Sequence, residues 1–372
     1  MAQALYVHIP FCDAICTYCD FPKMVAPAAF KTAYIDALKT EIVASRAELA
    51  DVETIYIGGG TPSSLPHDLL SDLLDFLAAQ VDVGRLREWT IEANPNDVTY
   101  DFARLIKAKG VTRLSIGVQS GRPELLKMMG RTHTKEDVER AVKAVHDAHF
   151  YNVNLDFIYA VPTETMADLE ADLAFALALK PLHLSFYTLI LEPRTMLFHD
   201  WREGRVTLLD EELEATMFET VNRVLPQAGY RRYEVSNFAI TGFESKHNLH
   251  YWNAHDYLGV GMGAHSLFGS TRFHNHPSLS KYLASVKKTG TGGRLVDPCD
   301  PFREACVMGL RKVSGIDRAD LWVRFHQDPL LRFPRLYDNE RDGLLLIDDA
   351  SIRLTDKGLI LLNYVERSFA GG

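Results

Sequence analysis

Residues 6–19 have the sequence YVHIPFCDAICTYC, an apolar run that ends in three closely spaced cysteines. The apolar run predicts a buried strand over Leu5 to Pro10, and Cys12, Cys16 and Cys19 then fall in the loop that follows it. Three thiolates can ligate three corners of a 4Fe-4S cubane and leave its fourth iron open for another ligand. We therefore predict a 4Fe-4S cluster on these cysteines, at the carboxyl end of the first strand.

Two other interpretations of the cysteine loop stay open on the residues alone. Structural zinc normally takes four Cys or His ligands, so it would need His8 or a remote cysteine as the fourth ligand. The three residues could also be unrelated reduced thiols. The cluster is favoured because the loop ends a strand, where parallel barrels carry their sites. Five cysteines, three of them in one loop, do not make a disulfide framework, and Cys299 and Cys306 are interpreted as buried or idle thiols.

Short β-branched and aromatic runs alternate with segments of helical period six times over the first half of the chain. Right-handed crossovers then predict a parallel sheet, curled into a partial (β/α)6 TIM-like barrel with its ligand site at the carboxyl ends of the strands. The predicted strands are Leu5 to Pro10, Thr54 to Ile57, Glu88 to Glu92, Thr112 to Val118, Asn152 to Ile158 and His183 to Leu191, and the predicted helices lie near 28–50, 66–80, 99–109, 134–149 and 165–179.

Polar residues and glycines follow the predicted strands, as expected of a site at the carboxyl ends. The second strand runs into Gly58-Gly59-Gly60-Thr61-Pro62, whose glycines let the backbone approach a ligand closely because they lack a Cβ. Four side chains suit charge-assisted bonds to the amine, carboxylate and ribose of a nucleoside ligand; they are Glu92, Gln119, Arg131 and Asp156. Each side chain taken alone is as well explained by a structural role, and the glycines by a plain turn.

The β/α alternation stops after about residue 205. We expect a barrel over 1–205, a connecting region over 206–288 and a C-terminal domain over 289–372. The last region has helices, then two short strands joined at Asp348-Asp349 and a closing helix after Thr355, which predicts a small winged-helix-like fold. DNA binding is one interpretation of that fold and a packing module is the other; 11 Lys and Arg against 12 Asp and Glu from 300 to 372 favour packing.

Residues 259–264 mimic a dinucleotide fingerprint without its strand-to-helix context, and predict a tight turn.

Charge and hydropathy narrow the class of partner. The 372 residues carry a formal charge of -9 with a pI near 5.9, which disfavours a general nucleic-acid or anionic-membrane binder. The first residues, MAQALYVHIPF, lack the segments of a secretory signal, and no apolar run approaches the ~20 residues of a membrane-spanning helix. We therefore expect a cytoplasmic protein in a reducing compartment, where disulfides are rare.

In five stretches the sequence resembles the HemN branch of the radical S-adenosylmethionine superfamily, and the resemblance runs from residue 5 to the C-terminal helix. The stretches are 6–21, 58–63, 115–120, 154–156 and 233–238. The resemblance implies a 4Fe-4S cluster on the cysteine triad, with Tyr18 packed beside it. It also implies that S-adenosylmethionine is bound by Tyr6, Gly59, Gly60, Thr61, Glu92, Gln119, Arg131 and Asp156, with Ile190 and His265 as further contacts.

Within this branch the chain resembles the haem-chaperone subfamily, long labelled as an oxygen-independent coproporphyrinogen oxidase. The true dehydrogenase has a further cysteine two residues after the triad, where this chain has Phe21. It also has a long N-terminal extension, where this chain begins four residues before its first strand. Residues 247–252, HNLHYW, match the HNxxYW motif that the subfamily ties to haem.

The motif also has a plain structural interpretation. An imidazole can ligate haem iron, and the faces of Tyr251 and Trp252 suit a porphyrin. From the residues alone, a hydrogen-bonded core histidine explains His247 better, and the resemblance reverses that preference. The alternative haem ligands are His250, His255, His274 and His276.

The resemblance implies a haem chaperone that passes haem to an acceptor apoprotein such as a respiratory enzyme, in the cytoplasm or peripheral at the membrane. The alternative is an oxygen-independent coproporphyrinogen III dehydrogenase or another radical enzyme acting on a tetrapyrrole. Such an enzyme also needs an electron donor such as flavodoxin or ferredoxin. Neither hypothesis involves nucleic acid.

Overall fold

Six parallel strands, each followed by a helix, form the first half of the chain in a computed structural model that describes residues 1–370. The predicted α/β class and partial barrel are confirmed. The elements are β1 Ala4–Ile9, α1 Ala28–Ala44, β2 Thr54–Gly59, α2 His67–Gln80, β3 Glu88–Ala93, α3 Tyr100–Ala108, β4 Arg113–Gln119, α4 Pro123–Met128, α5 Lys135–Asp147, β5 Val153–Tyr159, α6 Met166–Ala178, β6 His183–Thr188, α7 Met196–Arg202 and α8 Glu211–Gln227.

Most predicted ends of these helices and strands agree with the structure to within a residue or two, and local chemistry explains why. The side chains of Thr134 and Thr165 accept from the backbone three residues on, and form capping boxes that start α5 and α6. The predicted helix near 28–50 ends early, at Ala44, and a 3-10 turn over Arg46–Leu49 takes up the rest. The sixth strand also ends early, because after the bond from the N–H of Leu189 to Tyr159 the chain leaves the ladder.

The sheet extends beyond the six predicted strands at both edges. Its order is β12-β11-β10-β9-β1-β2-β3-β4-β5-β6-β8-β7, and β6 pairs with β8 and not with β1, so the barrel stays open. The predicted connecting region thus supplies strands to both edges, and the domain limits stay a prediction. The elements after α8 are β7 Arg231–Arg232, β8 Asn237–Ala239, α9 Lys246–Trp252, β9 Tyr257–Val260, β10 His265–Phe268, β11 Thr271–His274, α10 Leu279–Thr289 and β12 Leu295–Asp297. The edge strand β12 lies beyond residue 288, in the range expected for the C-terminal domain.

A separate three-stranded sheet lies in the C-terminal part, in the order β13-β15-β14, and helices surround it. The succession of helix, strand, helices and two hairpin strands confirms the winged-helix-like order. The rings of Phe302, Phe333 and Phe369 meet at centroid distances of 5.0 to 6.0 Å, in an apolar cluster that also includes Ala4, Tyr257 and Leu267 of the large sheet. The elements are α11 Pro301–Leu310, β13 Ile316–Asp317, α12 Arg318–Phe325, α13 Pro329–Arg332, α14 Leu336–Arg341, β14 Leu345–Ile347, β15 Ser351–Leu354, α15 Asp356–Ile360 and α16 Leu362–Glu366.

The parallel arrangement decides where a site lies. Because β9 and β1 to β6 run in one direction, their carboxyl ends share one rim, and the loops that carry the predicted site residues leave from that rim. The glycine-rich residues 259–264 join β9 to β10 as a turn, so no dinucleotide-binding helix follows them. Within residues 1–370, none of the helices has both the length and the apolar composition to cross a membrane.

Candidate cluster and cofactor site

The three cysteines lie on one loop that is tied to the barrel at several points. The N–H of Cys12 donates to the carbonyl of Met24 at 3.0 Å, and the N–H of Met24 donates to Pro10 at 2.7 Å, which closes the base of the loop. Halfway along, the N–H of Thr17 donates to Met129 at 3.1 Å. All three thiols are free of disulfides. The loop is therefore held in place by backbone bonds, and its sulfurs remain available as ligands.

Donor groups surround the sulfurs. The Thr61 hydroxyl lies 3.6 Å from the Sγ of Cys12, and a guanidinium nitrogen of Arg131 lies 3.6 Å from the Sγ of Cys16. Burial raises the pKa of the Cys12 thiol, and the neighbouring thiols raise it further. Burial likewise raises the pKa of Cys19. Thiolates that are partly buried and repel one another are stabilised by a cationic metal centre, so this donor set fits an iron-sulfur cluster.

Tyr18 lies within this loop, beside Cys16. Its ring packs against a small apolar group that includes Leu125 and Leu126 of α4. Burial raises its pKa above the ordinary value, and the adjacent Cys16 adds to the effect. Phe21, two residues after the last cysteine, is 65% exposed. No further thiol follows the triad within the loop, as the sequence shows.

His8 does not complete a zinc site with the three cysteines. One ring nitrogen lies 3.0 Å from the hydroxyl of Tyr6, and the other lies 2.8 Å from the carbonyl of Pro22. Both nitrogens are thus occupied within the protein, and burial lowers the pKa of His8 to about 4. The ring of Tyr6 also stacks on that of Tyr56 at 6.2 Å, which places the Tyr6 side chain among the residues that line the barrel.

The three glycines at the carboxyl end of β2 lie in close contact with other parts of the protein. A Cβ on Gly59 would come within 2.3 Å of the His8 ring, and φ at Gly59 is +111°. A Cβ on Gly58 would lie 2.8 Å from the carboxyl of Glu92, and one on Gly60 would lie 2.8 Å from the backbone carbonyl of Ile9. The glycines are therefore required for the packing of neighbouring strand ends, whatever else they bind.

Glu92 is placed to receive a cation. Its carboxylate accepts from the hydroxyl of Tyr56 at 2.7 Å and from the N–H of Gly59 at 3.1 Å. Burial raises its pKa to about 7, and the charge of Asp156 contributes to that rise. A carboxyl group held this way gains most when a positively charged group arrives beside it.

Arg131 connects the cysteine loop with the ends of β3 and β4. Besides facing Cys16, its guanidinium donates to the side-chain oxygen of Asn94 at 2.9 Å and to the carbonyl of Gly117 at 2.7 Å. Gln119 ends β4 with φ at +65°, where the register with β5 shifts. A positive φ at a residue other than glycine is uncommon and costs free energy. A Cβ on Gly117 would lie 2.8 Å from the side chain of Gln119 and 3.3 Å from that of Arg131. Arg131 and Gln119 thus lie together on the rim.

Asp156 lies on β5 beside the same rim and is held by two neighbours. It accepts from Ser115 at 2.7 Å and from the amide of Asn154 at 2.9 Å. Asn154 also bonds to His183 of β6 at 2.5 Å, so a polar network crosses the inside of the barrel. The sequence analysis assigned no site role to these supporting residues, nor to Asn94 and Tyr56. The alternation of polar residues with Asp156 along the strand was the signal that could have found them.

Two predicted cofactor contacts, Ile190 and His265, and the two cysteines interpreted as buried or idle thiols, Cys299 and Cys306, remain to be placed. Ile190 is 70% exposed just beyond the end of β6, and His265 is exposed at the start of β10. Cys306 is fully buried in the C-terminal apolar core, and Cys299 donates its thiol to Glu304 at 2.9 Å. The last two thiols therefore belong to the C-terminal part of the chain and lie outside the cluster loop.

The HNxxYW residues form α9, which lies at the opposite end of the strands. The His247 side chain is 0% exposed; its Nδ1 lies 2.9 Å from the hydroxyl of Thr54 and its Nε2 lies 2.7 Å from that of Tyr251. Thr54 starts β2, while the cysteines follow the end of β1, so a strand length of roughly 20 Å separates the two sites. In this conformation His247 has no free ring nitrogen.

A buried carboxylate fixes the start of α9. Glu88 accepts from the N–H of Lys246 at 2.9 Å, from the N–H of His247 at 3.0 Å and from the hydroxyl of Ser245 at 3.2 Å. A negative charge at this end satisfies the otherwise unpaired N–H groups and the helix dipole. The start of α9 and the position of His247 therefore have a structural explanation, besides any ligand the motif binds.

Of the other candidate haem ligands, two form a pair beside α9 and two lie near β11. His250 and His255 face each other with 3.3 Å between their Nδ1 atoms. His274 ends β11 with its Nδ1 3.0 Å from a carboxylate oxygen of Asp297, and His276 follows two residues later.

Comparisons with known proteins agree with this arrangement. The family model of the Radical SAM superfamily matches residues 6–176, and that of the HemN C-terminal domain matches residues 296–361. A solved structure of coproporphyrinogen III oxidase (HemN) from Escherichia coli superposes with a TM-score of 0.83 at 23% identity. The match covers 100% of this chain and 90% of that one, and it shows a shared fold.

The sequence relatives extend over almost the whole chain. The protein named heme chaperone HemW from Lactococcus lactis is 38% identical, with 99% of this chain and 97% of the relative covered. HemW from Bacillus subtilis is 35% identical, with 99% of both chains covered. The mitochondrial radical S-adenosyl methionine domain-containing protein 1 of Danio rerio is 30% identical over 97% of this chain and 85% of its own length. This chain belongs to the HemW family of radical S-adenosylmethionine proteins.

Proposed function

We propose that this chain is a haem chaperone that binds haem, a 4Fe-4S cluster and S-adenosylmethionine, and delivers haem to an acceptor apoprotein such as a respiratory enzyme. The observation that carries the proposal is the similarity of nearly the whole chain to proteins named heme chaperone HemW. That similarity spans the cysteine loop, α9 and the C-terminal domain together. It is therefore not confined to the barrel, which proteins of many functions share.

Cys12, Cys16 and Cys19 would hold the cluster. Their thiols are free and share one anchored loop, and Thr61 and Arg131 lie 3.6 Å from two of the sulfurs. When bound together, the cluster and S-adenosylmethionine supply one-electron and radical chemistry. Haem transfer requires no radical, so we assign the cluster a role in assembly or regulation of the chaperone.

S-adenosylmethionine would bind along the rim beside the cluster. Glu92 would accept the ammonium group, since its carboxyl is partly buried with no positive charge bonded to it. The backbone of residues 59–61 would lie against the amino-acid end of the ligand. The remaining predicted contacts would bind its carboxylate, ribose and base through charge-assisted bonds and packing; they are Tyr6, Tyr18, Gln119, Arg131 and Asp156.

Haem binding by His247 requires a local rearrangement of the structure. His247 would ligate iron only after giving up its bond to Thr54 or to Tyr251, because both nitrogens are engaged. Tyr251 lies one turn further along α9, so a shift of this tyrosine would free Nε2 toward incoming haem. We propose His247 as the ligand in that opened state.

The proposal is tested on anaerobically purified, cluster-loaded protein. Haem titration should give a saturable absorption change, and the haem-loaded protein should restore activity to a haem-free respiratory enzyme. The His247→Ala variant should lose tight binding, whereas His255→Ala should retain it. If His247→Ala keeps wild-type affinity and transfer with its fold intact, the ligand assignment is wrong. If the wild-type chain neither binds nor transfers haem, the chaperone function is wrong.

The second candidate is an oxygen-independent coproporphyrinogen III dehydrogenase, supplied with electrons by flavodoxin or ferredoxin. The complete set of cofactor positions on the rim favours it, because a pure carrier has no obvious need of them. Phe21 in place of a further cysteine opposes it. Anaerobic incubation with reductant, S-adenosylmethionine and coproporphyrinogen III separates the two functions, since only the enzyme yields 5'-deoxyadenosine together with decarboxylated porphyrinogen.

A further inference from the structure

Three metal-ligating side chains converge on one edge of the large sheet, outside the cluster site. His265 begins β10, His274 ends β11 and Asp297 ends β12. The two histidines are directly opposite in the antiparallel register of β10 and β11. Because side chains alternate along a strand, residues paired in this way project from the same face of the sheet.

The donor atoms already lie close to the positions that a metal ion requires. The Nδ1 of His274 is 3.0 Å from an oxygen of Asp297, and the Nδ1 of His265 is 3.9 Å from the same oxygen. The three donor atoms lie within 4.8 Å of one another. Bonds of about 2.0 to 2.1 Å in a tetrahedral zinc site put donors roughly 3.3 Å apart. Small rotations of these side chains would therefore complete the site.

A hydrogen bond between His274 and Asp297 explains only part of this arrangement. It accounts for two of the three residues, but not for the ring of His265, which stacks on that of His274 at 4.9 Å and turns its Nδ1 toward the same carboxylate. Arg272 shares this part of β11, but its guanidinium is paired with Glu304, which compensates its positive charge.

We propose that His265, His274 and Asp297 bind a divalent transition-metal ion, with Zn²⁺ as the preferred occupant. Two imidazoles and one carboxylate suit zinc and leave a coordination position open. The site is reached from solvent, because 57% of the His265 side chain is exposed. A metal ion here would link β12, the edge strand of the large sheet, to β10 and β11. The inference does not depend on the proposed haem-chaperone function.

The site lies on the rim that carries the cluster loop. The turn before β10 contains Gly263, where a Cβ would come within 2.7 Å of Pro22, which lies in the cysteine loop. An ion here would hold the turn beside that loop while its open position faces solvent. Any assay must therefore separate this site from the three thiols.

The test uses the full chain with its cluster loaded, so that Cys12, Cys16 and Cys19 are occupied. Anaerobic calorimetric titration with ZnCl₂ should show one ion per chain, and X-ray absorption at the zinc edge should show nitrogen and oxygen ligands without sulfur. Zinc should also raise the unfolding temperature. The double variant H265A/H274A should lose stoichiometric binding, and Asp297→Asn should weaken it at least tenfold.

The matched control is H67A/H146A, which removes two exposed histidines from the outer helices α2 and α5. It should bind zinc like the wild type. Zinc bound through sulfur, no stoichiometric binding by the wild type, or unchanged binding by H265A/H274A would each overturn the proposal. If Asp297→Asn fails to fold, the single variant His265→Ala decides, because that exposed side chain carries no packing of the core.

Discussion

Replacing Glu92 by glutamine should have opposite effects on stability and on cofactor affinity. The substitution keeps the shape of the side chain and removes its charge. Glu92 accepts from Tyr56 and from the N–H of Gly59, and its pKa is raised to about 7 by burial. A carboxyl whose folded pKa lies above its unfolded value contributes stability below the unfolded pKa and loses it as pH rises through the folded pKa.

The size of the effect follows from that shift. A rise in the pKa from 4.5 to about 7 corresponds to roughly 3 kcal/mol in the free energy of unfolding. We lower this figure toward about 2 kcal/mol because the side chain keeps some contact with solvent. The wild type should therefore lose about 2 to 3 kcal/mol relative to Glu92→Gln between pH 4.5 and pH 8. Carboxyls that are not coupled to Glu92 behave alike in both proteins, so the difference reports on Glu92 and on its coupling to Asp156.

Affinity should change in the other direction. The ammonium of S-adenosylmethionine favours the ionised carboxylate, so wild-type affinity should rise with pH between 6 and 8 and that of Glu92→Gln should be lower by at least tenfold and flat. Urea unfolding across pH gives the stability, and equilibrium dialysis of cluster-loaded protein gives the affinity. The exposed-residue control Glu124→Gln should resemble the wild type in both. A stability difference that does not vary with pH would refute the reasoning.

Three further substitutions test separate parts of the structure. Cys12→Ala should abolish the cluster, measured as bound iron and sulfide, whereas Cys306→Ala should keep it; equal iron content in the two variants would contradict the assignment. Glu88→Gln should lower the free energy of unfolding by about 3 kcal/mol in urea, because the N–H groups at the start of α9 lose a buried charged acceptor. Gly59→Ala should lower the free energy of unfolding by at least about 2 kcal/mol, since its φ is +111° and a Cβ would strike the ring of His8. Gly343→Ala, with open space around it, should lower the free energy of unfolding by less. Similar losses in the two alanine variants would show that the ring contact is unimportant.

The barrel and its rim could be predicted because their signals are local. Strands and helices follow from hydrophobic period and from caps such as Thr134 and Thr165, and parallel strands then bring their carboxyl ends together without further information. That is why Glu92, Gln119 and Asp156, far apart in the chain, were expected on one rim. The supporting residues Tyr56 and Asn94 could not be predicted in this way, because they act through side-chain bonds whose geometry depends on strand register.

The HNxxYW segment shows the limit of the sequence most clearly. The family resemblance implies an imidazole for haem, whereas the residues alone favour a hydrogen-bonded core histidine. The tertiary structure places His247 under the amino ends of the strands with both of its nitrogens bonded. Its partners are Thr54, 193 residues away, and Glu88, 159 residues away. No local pattern encodes such contacts.

The sequence by itself determined the cysteine loop, the β/α repeat and the winged-helix-like order, because each depends on spacing along the chain. Only the tertiary structure decided which strands flank β1 and β6, which side chains reach the sulfurs, and that His265, His274 and Asp297 meet. These outcomes depend on the topology and register of the sheet. They arise from the packing of the whole chain, where contacts between distant residues compete for the same space and the same hydrogen-bonding groups.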